Sequence, residues 1–110
     1  MKTIYDLRKE LHKNPEKGFE EFETKKIILH YLEKFKNRID ITEVLGTGLI
    51  IKYTGDPYRE DFLFYRADMD ALPITEKTDA QFKSQRNGWM HACGHDIHMT
   101  ILMGILESVI

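Results

Sequence analysis

The sequence predicts an α/β fold, and three observations support this prediction. Apolar residues recur at helical spacing in the first third of the chain, the middle of the chain changes to strand-like runs, and the last segment is again helical. A chain of 110 residues that is 42% hydrophobic is long enough for one modest domain with its own core. We therefore expect a single α/β domain.

Two helices are predicted in the first third of the chain. Thr3 is a candidate N-cap for a helix that ends near Asn14-Pro15, because proline disfavours helix in the residue before it. The second helix is predicted over residues 20–36 and has a broad apolar face, so it should pack on another element. His12 and His30 lie on these helices, and we expect both at the surface or its boundary.

Residues 39–67 have the patterns of β-strands. The segments on either side of Gly46-Thr47-Gly48 predict a hairpin, whose second strand should end at Gly55-Asp56-Pro57. Residues 62–67 (FLFYRA) form a nearly continuous apolar run, which is typical of a buried strand in the middle of a sheet. Residues 75–87 are polar and predict a surface loop.

The stretch of residues 88–98 (GWMHACGHDIH) holds the chemistry most typical of a metal site. It contains three histidines, the only cysteine of the chain and an aspartate. Thiolate and imidazole are ligands that suit zinc. If this run is extended, His91, Cys93 and His95 share one face, and Gly94 permits a bend between the last two.

The last segment, residues 97–110, is mostly apolar and predicts a helix. Asp96 is its predicted N-cap, because a carboxylate at that position accepts hydrogen bonds from the first turn. Met99 and Met103 are four residues apart on this helix, and we expect them in the core rather than at a metal.

Two aspartates follow the predicted central strand. Asp68 and Asp70 are two residues apart and would share a face of an extended segment. In open α/β sheets, functional groups collect just past the carboxyl ends of the strands. An isolated pair of this kind would be interpreted as exposed turn residues, but beside a His/Cys run we expect the acids to bind the same ion or to orient its histidine ligands.

Charge and composition argue against several function classes. The net charge is -2, so there is no electrostatic case for binding nucleic acid or an anionic membrane surface. The start of the chain has no apolar leader, and no run is long enough to span a bilayer. One cysteine cannot form an internal disulfide, which fits a reducing compartment. We therefore expect a cytoplasmic protein.

Three segments, in order, form recognisable motifs: residues 6–24, which begin DLRKELHKNPE, residues 67–73 (ADMDALP) and residues 90–98 (MHACGHDIH). They resemble motifs of the M20 family of metallopeptidases and amidohydrolases. The resemblance is closest to its aminoacylase-like branch of N-acyl-amino-acid amidohydrolases. The motif that contains the cysteine is the most specific, and the three together cover nearly the whole chain.

The resemblance implies that residues 1–110 are the amino-terminal portion of a zinc-peptidase-like catalytic domain, a mixed β-sheet flanked by helices. The family's lid and dimerisation domain and the rest of its catalytic domain would lie outside this chain. It implies two divalent metal ions in the complete site, zinc or manganese, with cobalt or nickel as alternatives. It also implies hydrolysis of the amide bond of an N-acyl amino acid or small peptide by metal-activated water, and a homodimer in the full-length protein.

The resemblance also assigns roles to individual residues. Cys93 and His95 match metal ligands of the branch, and Asp70 matches an acid that orients the catalytic site. Other residues of the motifs are expected to support the site without a firm role as ligands: Asp68, Asp96, His91 and His98. No substrate-binding residue can be named, and the family's general base has no match here, so we expect this chain alone to be inactive.

A function of another class is compatible with the same residues. The His/Cys cluster could bind one structural or regulatory zinc in a non-catalytic module, or the thiol could be a redox sensor. A structural zinc site needs four closed ligands, and this run offers at most three on one face. That shortage favours an open catalytic site to which other residues contribute.

Overall fold

The computed structural model describes residues 2–55 and 60–110 and shows an α/β arrangement. Its strands, β1 (Ile39–Val44) and β2 (Gly48–Tyr53), form an antiparallel hairpin in which Ile39 lies opposite Tyr53. Its helices are α1 (Ile4–Lys13), α2 (Phe22–Leu32) with a 3-10 turn at Glu33–Phe35, and α3 (His95–Val109). The predicted fold class is therefore confirmed, and so is the hairpin around the Gly46-Thr47-Gly48 turn. The predicted end of its second strand at Asp56-Pro57 lies outside the described residues.

The hydrophobic core lies where the three helices and one side of the hairpin meet. Helix α1 packs against both α2 and α3, and its Leu7 and Leu11 are fully buried. The core cluster consists of Leu7, Leu11, Ile27, Ile28, Tyr31, Leu32, Ile39, Met99 and Met103. The prediction that Met99 and Met103 are core residues is confirmed. Within residues 2–55 and 60–110, no helix has the length and apolar character needed to cross a bilayer.

Helix α1 begins and ends where its sequence predicts. Thr3 Oγ1 accepts a hydrogen bond from Asp6 N at 3.2 Å, and Asp6 Oδ2 accepts one from Thr3 N at 3.0 Å. This reciprocal capping box satisfies backbone donors that would otherwise have no partner in the first turn. The helix ends at Lys13, just before Asn14-Pro15. Helix α1 therefore has well-defined ends, and the other helices pack against it.

Helix α2 is capped by a residue that lies before it in the preceding loop. Glu21, at the N-cap position, makes no side-chain cap bond. Instead, the buried carboxylate of Glu16 accepts from Glu23 N at 3.1 Å and from Thr24 N at 2.6 Å, and it also accepts from Thr24 Oγ1 at 2.7 Å. Because the cap comes from Glu16, α2 begins two residues later than the periodicity predicts.

The prediction of a buried central strand over residues 62–67 is wrong. Leu63 and Phe64 are 86% and 91% exposed, and within the described part of the chain this segment pairs with no strand. A strand needs a neighbour for its backbone hydrogen bonds, and the sheet of the described residues consists of β1 and β2, neither of which pairs with this segment. An apolar run in the sequence shows that a segment is hydrophobic, but it does not show whether a neighbouring strand is present to pair with it.

We predict that Glu16→Gln lowers the free energy of unfolding by about 1–2 kcal/mol, because an amide oxygen is a weaker acceptor for the first turn of α2 than a carboxylate. Urea denaturation followed by circular dichroism measures this change. The matched control is Glu20→Gln. The Glu20 carboxylate is exposed, and its ion pair with Lys17 Nζ is long, at 3.8 Å. The control should change the free energy by less than about 0.5 kcal/mol, and equal losses in the two variants would contradict the capping role.

Candidate metal centre

One pair of backbone hydrogen bonds joins the acidic motif, residues 67–73, to the His/Cys motif, residues 90–98. Leu72 N donates to Met90 O and Met90 N donates to Leu72 O, both at 3.0 Å, which makes an isolated antiparallel bridge. Immediately before it, Ala71 N donates to Glu16 O at 2.8 Å. The three segments on which the family resemblance depends therefore meet at one place in the fold.

His95, the first residue of α3, faces both predicted acids. Its Nδ1 lies 2.8 Å from the backbone oxygen of Asp70 and 3.1 Å from Asp70 Oδ1, and its Nε2 lies 3.9 Å from Asp68 Oδ2. When Nδ1 donates to Asp70, the neutral ring keeps its free lone pair on Nε2. Metal-binding histidines have this arrangement, in which one nitrogen donates to a carboxylate or carbonyl and the other binds the ion.

The chain bends at Cys93-Gly94 immediately before α3. Gly94 has φ 89°, in the left-handed region that glycine adopts without steric cost, so the predicted bend is confirmed. Cys93 is a free and exposed thiol at this bend, one residue before Gly94. His98 is exposed one turn further along, with its ring centroid 5.9 Å from that of His95. The thiol of Cys93 and the imidazole of His98 are thus exposed, while the imidazole of His95 is partly buried.

The extended run that would have placed His91, Cys93 and His95 on one face is not formed. His91 is only 3% exposed, whereas Cys93 is exposed, because the bend interrupts the extended run that the expectation assumed. Within the described residues, neither ring nitrogen of His91 has a hydrogen-bond partner. Burial lowers the pKa of His91 to about 4, although the nearby Asp96 carboxylate acts in the opposite direction. The ring is therefore neutral at neutral pH.

Asp96 is not the N-cap of α3, which corrects a second expectation. The helix begins at His95 with Gly94 at the N-cap position, and Asp96 is fully buried in the first turn. Its Oδ2 accepts from His12 Nδ1 at 2.7 Å and from Arg8 Nε at 3.1 Å. A buried charge needs partners of this kind, since an isolated one is strongly unfavourable.

The prediction that His12 lies at the surface or its boundary is also wrong, because it is 4% exposed. Its Nε2 lies 3.0 Å from Oε1 of Glu76, which is in the predicted loop. Sequence reasoning missed the contribution of His12, Arg8 and Glu76 to this part of the fold. One signal was available, since Arg8 and His12 are four residues apart and share a face of α1.

The donors at the bend fit part of a metal site. Thiol, imidazole and carboxylate are the groups that zinc prefers in proteins, and here they come from Cys93, His95 and the acids at 68 and 70. Among the residues that the structure describes, no group of three or more His, Cys, Asp or Glu side chains is arranged so that it could hold an ion. Among these donors, His95 lies within 4 Å of both Asp68 and Asp70.

We predict that Glu76→Gln weakens the dependence of stability on acidic pH. Burial raises the pKa of Glu76, but hydrogen bonds from three neighbours outweigh this effect and hold the pKa below its ordinary value: Thr78, Ser84 and His12. The stability from this lowered pKa is complete above about pH 4.5 and is lost as the pH falls through the lower folded-state value.

Urea denaturation at about pH 6 and about pH 3 measures the effect. The difference between the two pH values should be smaller in Glu76→Gln than in the wild type. Asp79→Asn, which removes an exposed acid from the same loop, should keep the wild-type difference. An unchanged difference in Glu76→Gln would contradict the stabilised carboxylate.

The carboxyl-terminal part of the chain matches a known family, and the whole chain has named relatives. Residues 64–110 match peptidase family M20/M25/M40. An N-acetyldiaminopimelate deacetylase of Bacillus subtilis is 48% identical over 100% of this chain and 29% of its own length. One of Geobacillus thermodenitrificans is 44% identical over 91% of this chain and 26% of its own length. The chain thus spans somewhat more than a quarter of the length of these relatives.

Two solved structures are similar to this fold. A Bacillus subtilis protein described as a dinuclear metal binding peptidase from the M20 family has a TM-score of 0.81 and 43% identity, over 94% of this chain and 29% of that one. A putative aminohydrolase from methicillin-resistant Staphylococcus aureus has a TM-score of 0.77 and 35% identity, over 96% of this chain and 28% of that one. With the three motif segments that meet at the Leu72–Met90 bridge, these matches show that residues 64–110 fit the M20 family and that the whole chain corresponds to the amino-terminal part of these relatives.

Proposed function

We propose that the complete protein containing this chain is a metal-dependent amidohydrolase that removes the acetyl group from an N-acetylated amino acid. The observation that carries the proposal is the orientation of His95, whose Nδ1 faces Asp70 and whose Nε2 points toward Asp68, beside the exposed thiol of Cys93. The relatives named N-acetyldiaminopimelate deacetylases supply the substrate class. The proposed substrate is accordingly an N-acetylated diamino acid such as N-acetyldiaminopimelate.

In this proposal, Cys93 and His95 are the metal ligands that this chain contributes. Two divalent ions, zinc or manganese, would complete the site, in agreement with the dinuclear metal binding described for the similar Bacillus subtilis structure. A bound ion lowers the pKa of water so that hydroxide is available near neutral pH. In the hydrolysis, the water oxygen would bond to the acetyl carbonyl carbon, the C–N bond would break, and the amine nitrogen would take up a proton from the water as acetate leaves.

Asp70 is proposed to orient the site by holding His95. Its backbone oxygen and its carboxylate both lie within reach of Nδ1, so the ring cannot rotate without losing two contacts. A carboxylate behind a ligand histidine also makes that ligand more basic. Supporting roles for Asp68, Asp96, His91 and His98 stay predictions, although the burial of His91 and Asp96 is consistent with positions behind the ligands rather than at an ion.

The alternative function is a redox sensor or a module that binds one zinc. An exposed, free thiol at Cys93 is accessible to oxidants, which favours the sensor over an inert cysteine. A closed structural zinc site is less well supported, since the described residues contain no arranged group of three or more ligands. Metal content separates the functions, because two ions per complete chain support the hydrolase and one tightly held ion supports the module.

We predict that Cys93→Ala in the complete protein lowers kcat/KM for N-acetyldiaminopimelate by at least about 100-fold, because loss of a ligand removes or displaces an ion that activates water. Acetate release measures the activity, and elemental analysis of the purified protein measures metal content, which should fall in parallel. His30→Gln is the control, since His30 is exposed on α2. Wild-type activity and metal content in Cys93→Ala would refute the proposed role of the thiol.

A further inference from the structure

The first turn of α3 places His95, yet this helix has no side-chain cap. Gly94 occupies the N-cap position and makes no cap hydrogen bond. The last element before the helix is the bend at Cys93-Gly94, whose backbone is conformationally permissive. Something other than local sequence must therefore fix the direction in which α3 starts.

The buried carboxylate of Asp96 provides that fixed point. Asp96 follows His95 directly, and its Oδ2 accepts from His12 Nδ1 and Arg8 Nε at 2.7 and 3.1 Å. Both donors lie on α1, which is closed at its start by the Thr3 capping box and anchored by the fully buried Leu7 and Leu11. The first turn of α3 is thus held from a firmly packed helix and not from its own cap.

His12 extends this contact to a third part of the chain. Its two ring nitrogens lie 2.7 Å from Asp96 Oδ2 and 3.0 Å from Glu76 Oε1. A ring nitrogen that carries a hydrogen donates to the carboxylate that it faces, and Arg8 adds a second, permanently cationic donor to Asp96. Phe82 packs edge-on against the ring at 5.6 Å and limits its movement.

We infer that His12 is a positioning residue for the metal ligand His95 and acts on it through the hydrogen bond from its Nδ1 to Asp96. This inference rests on the proposed function, because it takes His95 to be a ligand. The bond to Glu76 has a different consequence, since it ties the loop to α1 and stabilises the fold without touching the first turn of α3. The two ring nitrogens of His12 therefore have separable roles.

Two amide substitutions separate these roles. The side-chain nitrogen of asparagine is as many bonds from Cβ as Nδ1 of histidine, and that of glutamine is as many as Nε2. His12→Asn therefore keeps a donor for Asp96 and loses the bond to Glu76, whereas His12→Gln keeps a donor for Glu76 and loses the bond to Asp96. Each variant keeps one of the two hydrogen bonds and loses the other, so both should lower thermal stability by similar amounts.

The test uses the complete protein with cobalt(II) as the probe metal. Affinity is measured by titration of the metal-free protein, ligand geometry by the visible absorption bands, and stability by thermal unfolding without metal. His12→Gln should weaken cobalt binding about 10–100-fold and change the bands, as loss of a partner behind a metal ligand does. His12→Asn should keep the wild-type bands and an affinity within about threefold, and the exposed His30→Gln control should match the wild type in all three measurements.

Each outcome is decisive for the inference. Wild-type affinity and bands in His12→Gln, or equal losses of affinity in both variants, would overturn the positioning role while leaving the proposed metal site intact. A wild-type protein that binds no cobalt would overturn the metal site and this role with it. If His12→Gln does not fold, Asp96→Ala replaces it, since it removes the acceptor of the same hydrogen bond. Its affinity should also fall, and an unchanged affinity and unchanged bands would again overturn the role.

Discussion

The arrangement of this part of the molecule depends on one buried carboxylate and the two donors that face it. Taking the Asp96 charge out of water costs several kcal/mol unless donors replace its hydration, and Arg8 and His12 do so for Oδ2 at hydrogen-bond distance, whereas Oδ1 has no partner among the described residues. His12 and Asp96 are 84 residues apart in the sequence. The cost of separating them means that α3 cannot start in another direction without leaving a buried charge unpaired. The position of His95 is consequently determined by α1 as much as by the motif that contains it.

Backbone groups complete the site where side chains do not. The Leu72–Met90 bridge fixes the distance between the acidic segment and the His/Cys segment, although neither segment is part of a described sheet. Glu16 connects this bridge to α2. Its backbone carbonyl accepts a hydrogen bond from Ala71, next to the bridge, and its carboxylate caps α2. The amino-terminal motif therefore has a physical meaning even though it supplies no ligand, since it fixes the loop against which Asp70 lies.

Local patterns in the sequence predicted local structure well. The Thr3 cap, the helix end before Asn14-Pro15 and the hairpin turn at residues 46–48 depend on neighbouring residues, and all three are confirmed. The failures involve distant partners. The run of residues 62–67 lacks a paired strand among the described residues, and the burial of His12 depends on acids in two other parts of the chain, which the periodicity of one helix cannot reveal.

In the candidate site, too, features that depend on neighbouring residues were predicted and features that depend on the three-dimensional arrangement were not. Clustering in the sequence singled out Cys93, His95 and Asp70, and the structure brings the last two into contact, but it buries His91 and leaves Cys93 exposed, which the argument from an extended run did not foresee. The side chains of Asp68 and Asp70 are 45% and 42% exposed, so water screens their charges strongly. Metal-activated hydrolysis gains from a site that excludes water. The orientation of His95 is therefore a property of this segment, whereas the rate of any reaction depends on how the complete protein covers these acids.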